Sequence, residues 1–302
     1  MIIGAGFAGL IAAYVFPKLQ VFEANAAPEL RHRALLRFRS DSVSKLTGIE
    51  FRPVTVRKGI FIDGKFVPPS IQLANMYSNK CLGRIIGERS IWNLDAVTRF
   101  IAPENVYHQL LDVVGARVMF NASIDFKDIG TKVFPFAIST APMPAVLEML
   151  SVPCTEKFLR MPIHVARFRV KNCDAHQTVY FPSDAYNLYR ASITGDLLIA
   201  EFAAADGCSP YVGEWQVALQ EAFKFSCLDP IDQTSQRYGK IAPIDNAIRK
   251  QLIYSLTQRH SIYSLGRFAV WRNILLDDVL EDAAIIKRLL SASSYERRLM
   301  SL

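Results

Sequence analysis

The chain opens with an apolar trio, Met1-Ile2-Ile3, that runs straight into three glycines spaced Gly4-x-Gly6-x-x-Gly9. A small-residue stretch from Leu10 to Phe16 follows, and Leu19-Gln20-Val21-Phe22 then ends on an acid, Glu23. Strand, tight turn, helix, strand and acid in that order describe a βαβ unit, and few short patterns restrict a fold as tightly. Gly4 permits the turn, Gly6 lets backbone approach a pyrophosphate, and Gly9 lets the helix pack closely on the strand. The amides at the helix start, where Phe7 and Ala8 lie between the glycines, then face phosphate oxygens. Glu23 is placed to accept from ribose hydroxyls, with Ala24 beside it at the same site. The unit therefore reads as a dinucleotide site, against the alternative of a glycine-rich turn in an unrelated α/β protein. It is also trimmed by about one helical turn, because Pro17 cannot donate to the i−4 carbonyl and ends the helix early.

At 302 residues, 51% of them hydrophobic, the chain can build two packed units or one body with a large insertion. No apolar run is long enough to span a membrane, so no membrane partner is expected. The glycine motif occupies the N-terminus, where a leader would lie. Cys81, Cys154, Cys173, Cys208 and Cys227 are scattered without a C-x-x-C pair. An odd, dispersed set reads as reduced thiols of a cytoplasmic protein, with neither a disulfide framework nor a metal site expected. The net charge of +7 favours anionic partners, whether a cofactor diphosphate or a nucleic acid backbone, and composition does not choose between them.

After Glu23 comes the densest basic stretch, Arg31-His32-Arg33-Ala34-Leu35-Leu36-Arg37-Phe38-Arg39. It reads either as a fold-back segment in which Arg31 or Arg33 clamps phosphate bidentately, or as a solvated strand-like face. Residues 54–67 read as a hairpin turning at Asp63-Gly64. Ile71 to Arg84 reads as a helix with Tyr77 and Lys80 exposed, and Asp95 to Phe100 as a second helix. A third starts at Ala102-Pro103-Glu104, with Val106, Leu110, Leu111 and Val114 on one face. Arg117 to Ile124 reads as a strand, and so does Val133 to Pro142, whose small-residue end would face a cofactor in a doubly wound sheet. Runs at 163–170, 178–181, 188–192 and 197–202 alternate between turns and predict an antiparallel sheet, the substrate platform. Helices are expected at 214–225, 252–258 and 278–290, and a last strand at 261–265.

That last strand leads into Gly266-Arg267-Phe268-Ala269-Val270-Trp271, and then to Leu276-Asp277-Asp278 at a helix start. Here the chain resembles flavoproteins of the amine oxidase, protoporphyrinogen oxidase and UDP-galactopyranose mutase superfamily. Their last strand carries a Gly-Arg-x-x-x-aromatic motif before an acid and a helix. Gly266, Arg267, Trp271, Leu276 and Asp277 fit the mutase version, and Ala137 to Pro142, with Thr140 and Ala141, is similar to the family strand beside the adenosine. The resemblance implies FAD as cofactor, with the amides around Leu276, Asp277 and Asp278 facing the flavin ring. The glycine pair that the family carries after its first acid is absent, replaced by the arginine-rich run.

The resemblance implies an α/β fold: a Rossmann-like FAD-binding domain (1–60, 100–150 and 255–302) with an inserted α+β substrate domain (61–99 and 151–254) containing the antiparallel sheet. It implies an FAD-dependent enzyme that oxidises or cleaves a C–N bond of an amine or amino-acid group. The compact size is similar to phage flavoproteins of thymidine hypermodification, which implies glycine on thymine in DNA as substrate and glyoxylate and 5-aminomethyluracil as products, in a host cytoplasm. Arg190 and Arg84 are the candidates to hold a substrate carboxylate, because a guanidinium fork matches two oxygens, and Tyr186 and Tyr189 are candidate pocket walls. Each of these residues also reads as surface charge or core. Two other functions stay open: a mutase-like isomerase acting on a sugar nucleotide, and a non-catalytic flavin-containing DNA-binding protein.

Overall fold

Residues 1–28, 37–86, 91–204, 211, 213–225 and 227–292 are described in a computed structural model of the chain. The shortest strands sit at its centre. β1 (Ile2–Ile3) pairs in parallel with β2 (Val21–Phe22) on one side and with β8 (Ala137–Ser139) on the other. β7 (Val118–Met119) and β14 (Ile262–Ser264) complete a five-stranded parallel sheet in the order β14-β8-β1-β2-β7. Ile2, Val21, Ile138 and Ile262 are fully buried, as expected for a parallel sheet covered on both faces.

Helix α1 (Phe7–Val15) links β1 to β2 and is buried along most of its length, packing against α4 (Val106–Val114) and α8 (Leu276–Ser291). It stops at Phe16, one residue before Pro17. Its C-terminal carbonyls are collected by one side chain: Arg117 donates to Ala13, Phe16 and Leu19 at 2.9, 3.3 and 3.0 Å. A cation there also complements the helix dipole. Arg117→Ala is expected to destabilise the chain by about 2 kcal/mol, measurable as a lower midpoint in urea unfolding.

The second sheet is larger. Its order is β13 (Leu228–Ile241), β9 (Arg160–Val170), β12 (Leu197–Ala203), β11 (Leu188–Gly195), β10 (Ala175–Tyr180), β4 (Arg52–Ile62), β6 (Val97–Ile101) and β3 (Arg37–Phe38), with β5 (Lys65–Val67) as a hairpin partner of β4. All pairings are antiparallel except β10 with β4. The β4–β5 turn places Asp63 and Gly64 at φ 51° and 73°, the positive values that a two-residue hairpin requires. Helix α3 (Ile71–Leu82) covers one face through Ala74, Tyr77 and Cys81. Helix α6 (Trp215–Phe223) covers the other through Ala218, Leu219 and Ala222. The chain is thus an α/β fold in which a parallel sheet is twice interrupted by strands of a mostly antiparallel one.

The structure corrects several readings. Residues 97–101 form strand β6 and not a helix, because Val97, Thr98, Phe100 and Ile101 favour a strand and β4 offers a full antiparallel partner from Arg52 to Val56. Tyr77 is buried against Tyr180 and Tyr189, not exposed. The strand expected over 117–124 shrinks to Val118–Met119. The longest strand, β13, gave no signal in the sequence. It is an edge strand built from Asp, Gln, Thr, Ser and Arg, with Pro230 beside one of its bulges, so no apolar alternation marks it. Among the described residues no helix is long and apolar enough to cross a membrane.

Candidate functional site

The three glycines have three different surroundings. Gly4 sits at φ +95°, and a Cβ on it would lie 2.4 Å from the Thr140 Oγ1. That hydroxyl is itself fixed, donating to the Ile3 carbonyl at 2.8 Å. A Cβ on Gly9 would lie 1.9 Å from the Gly4 carbonyl oxygen. Among the described residues nothing lies within 4 Å of where a Cβ on Gly6 would be. Two glycines therefore close the turn against strand and helix, and the middle one leaves open space above it.

The first intrahelical bond of α1 runs from the Leu10 amide to the Gly6 carbonyl, at 2.9 Å. The amides ahead of it have no i−4 acceptor by helix geometry. No acidic residue lies in the first turn, and no side chain caps it. The positive end of the helix dipole thus opens on the space over Gly6. Phe7 points the other way, its ring edge-on to Tyr107 at 5.4 Å, and the Tyr107 hydroxyl donates to the Ala5 carbonyl. Glu23 stands at the rim, accepting from the amides of Ala5 (2.8 Å) and Asn25 (3.0 Å). Each of its carboxylate oxygens keeps a further lone pair for a hydroxyl. Ala24 follows it on the exposed side of the same rim.

The C-terminal segment is brought onto this turn. Gly266, at φ +94°, lies so close to α1 that a Cβ on it would sit 2.8 Å from the Ala8 Cβ. Arg267 donates to the Asn273 side chain at 3.1 Å. Trp271 is fully buried, its indole N–H given to the Ala242 carbonyl and its ring edge-on to Phe158 at 5.0 Å, so it packs the segment against the end of β13. Ala141 is half-buried beside Thr140, its amide on the Ser139 hydroxyl. At the start of α8, buried Asp277 accepts from the amides of Arg39 and Ser40, each at 3.0 Å, and from the Ser40 hydroxyl at 2.9 Å. Asp278 accepts from the Leu275 amide at 2.7 Å and pairs with Arg39. The two acids thus tie the bend after β3 to the helix end.

A second group of side chains lies on the sheet face under α3. Arg190 pairs side-on with Glu201, through Nε and, at 2.7 Å, through Nη2. The Tyr189 hydroxyl donates to the same carboxylate at 3.1 Å. Lys240 stacks 4.7 Å from the Tyr189 ring centre. Glu201 and Lys240 are 3% and 4% exposed. Burial alone would raise the Glu201 carboxyl, but the charges of Arg190 and Lys240 outweigh it and hold the group down to about 2. Burial likewise works against the Arg190 guanidinium, and Glu201 more than offsets it, so the arginine stays firmly protonated. Burial pushes the Tyr77 and Tyr189 phenols well above their usual range, which keeps them neutral.

Of the residues the sequence singled out, the turn, Glu23, Thr140, Gly266 and the α8 start converge on one region, and Arg190 and Tyr189 share the sheet cluster. Arg84 is exposed on the loop after α3, apart from that cluster. Arg31 and Arg33 lie outside the described residues. Glu201 escaped the sequence reading, although it had a signal: an acid inside the apolar run Leu197-Leu198-Ile199-Ala200-Glu201-Phe202 needs a partner. Tyr186 borders a cavity of about 290 Å³ with Lys80, Met161, Asp184, Asn187 and Ala203. Burial pulls the Lys80 ammonium down to about 7. Its donors go to the carbonyls of Phe181, Ser183 and Leu188 at 3.0, 2.5 and 2.6 Å, so it ties α3 to that loop and strand β11.

The chain matches no protein-family model and no curated protein sequence. It does align along nearly its full length with solved structures. Reduced UDP-galactopyranose mutase superposes with a TM-score of 0.68 at 15% identity, over 97% of this chain and 94% of that one. An oxidoreductase from Methanosarcina mazei gives 0.61 at 10% identity, over 95% and 99%. Aklavinone-11 hydroxylase, in a ternary complex with FAD and aklavinone, gives 0.55 at 11% identity, over 96% of this chain and 61% of that one. The chain shares their fold.

Proposed function

We propose that this chain binds FAD and is an FAD-dependent oxidoreductase. One observation carries the reading: the open space over Gly6, the positive end of α1, Glu23 at the rim and the start of α8 converge on one region, joined through β3 to the charged sheet face. The residues fit an FAD. The α1 amides would take the pyrophosphate, Glu23 the ribose hydroxyls, and the backbone of the α8 start the electron-rich edge of the ring. Bound there, FAD would supply two-electron acceptance from a C–H next to nitrogen.

The finer reading is oxidation of a C–N bond in an amine or amino-acid group. The sheet face supports it in two ways. Its excess of positive charge lowers the pKa of a nearby amine, favouring the neutral form that oxidation needs. The packed rings of Tyr77, Tyr180 and Tyr189 give that amine an apolar wall. Arg190 is committed to Glu201 through two of its nitrogens, which leaves Nη1 to contact substrate. The narrowest form, glycine carried on thymine in DNA, draws support only from the net charge of +7. The superposition with reduced UDP-galactopyranose mutase favours a second reading, isomerisation of a sugar nucleotide. Anaerobic mixing of the FAD-loaded protein with candidate amines, amino acids and glycyl-thymidine DNA separates the two. Bleaching of the flavin band supports C–N oxidation; turnover of a sugar nucleotide only after chemical reduction would replace that reading with the second.

A further inference from the structure

Arg37 is a half-buried cation that no carboxylate neutralises among the described residues. From β3 its guanidinium reaches across to β10 and β11. It donates to Thr178 Oγ1 at 2.7 Å, to the Gln177 and Ile193 carbonyls at 3.1 and 2.7 Å, and to Thr194 Oγ1 from both Nε (3.3 Å) and Nη2 (2.9 Å). Every acceptor is neutral. Burial, followed by the charges of Arg190 and Arg99, pulls the group down to about 9.

As a strap between strands this arrangement places a third charge beside Arg190 and Arg99. Burying a cation among like charges is costly unless an anion offsets it. Among the described residues only one of the two Nη1 hydrogens meets an acceptor. The position is also specific. Two and three residues on, the amides of Arg39 and Ser40 are fixed by Asp277 in the first turn of α8. Arg37 thus stands between the helix end assigned to the flavin and the sheet face assigned to the substrate.

We infer that Arg37, rather than Arg84 or Arg190, holds an anionic group of the substrate, a carboxylate or a phosphate, on the β10–β11 surface. This rests on the proposed function only in taking that surface as the substrate platform; the anion site itself needs no FAD.

The test uses the full chain labelled with ¹⁵N-arginine, titrated with acetate in one arm and inorganic phosphate in the other, at constant ionic strength and with and without FAD. The Arg37 Nε–H resonance, assigned by its disappearance in Arg37→Lys, is expected to shift and saturate with one of the anions. The tighter arm identifies the chemistry. In Arg37→Gln, binding of that anion is expected to weaken about tenfold or more. If that variant does not fold, the wild-type titration decides alone. An Arg37 resonance unmoved by both anions, or unchanged affinity in folded Arg37→Gln, overturns the inference. Saturation without FAD uptake would keep the anion site and remove the oxidoreductase reading, whereas FAD uptake with a silent Arg37 would do the reverse.

Discussion

Gly9→Ala is expected to cost about 3 kcal/mol or more of stability and to remove FAD binding with it. The added methyl would lie 1.9 Å from the Gly4 carbonyl oxygen, and both are backbone-bound, so no rotamer relieves the contact. Either α1 moves off β1 or the turn opens, and each breaks the amide cradle. Gly6→Ala is the informative partner. Gly6 has φ −71° and ψ 177°, a conformation any residue adopts, and among the described residues nothing lies within 4 Å of the new methyl. Its stability should change by no more than about 0.5 kcal/mol, while the methyl projects into the space assigned to pyrophosphate. The pair therefore separates a packing glycine from a binding glycine. Thermal unfolding and FAD titration on both variants check this, and loss of stability in Gly6→Ala with retained FAD binding would contradict it.

The second large effect is expected at Glu201. Glu201→Gln removes the buried counter-charge of half-buried Arg190, and removing one partner of a buried pair costs about 3 kcal/mol. The pH dependence has a definite sign. The folded-state pKa, about 2, lies below the ordinary 4.5, so the unfolded chain binds a proton first as pH falls. The stabilisation is complete above about pH 4.5 and is lost progressively as pH drops towards 2, amounting to about 3 kcal/mol in all. Urea unfolding at a series of pH values should show this slope in wild type and a smaller one in Glu201→Gln. Equal slopes would mean that the pair does not carry the acid sensitivity.

What was legible in the sequence follows from range. The turn at Gly4 to Gly9, the hairpin at Asp63-Gly64 and the strands of the β9–β12 region are written in local residues, and the structure has them where the local chemistry puts them. The unread features depend on partners far away in the chain. Residues 97–101 become a strand because β4 is there to pair with. β13 is recognisable only once β9 defines an edge. The same holds for side chains. Arg190 drew attention as a free guanidinium, yet its partner Glu201 lies on the next strand. In the sequence Arg37 is only part of a basic run, and the four neutral acceptors that surround it lie on distant β10 and β11.

FAD titration of the purified full chain, followed by flavin fluorescence or equilibrium dialysis, decides whether the Gly4–Gly9 turn, Glu23 and the α8 start form an FAD site. Saturable uptake of one FAD per chain is expected, abolished in Gly6→Ala although that variant melts like wild type. A folded wild-type protein that takes up no FAD, or a Gly6→Ala variant that binds it equally well, would contradict it.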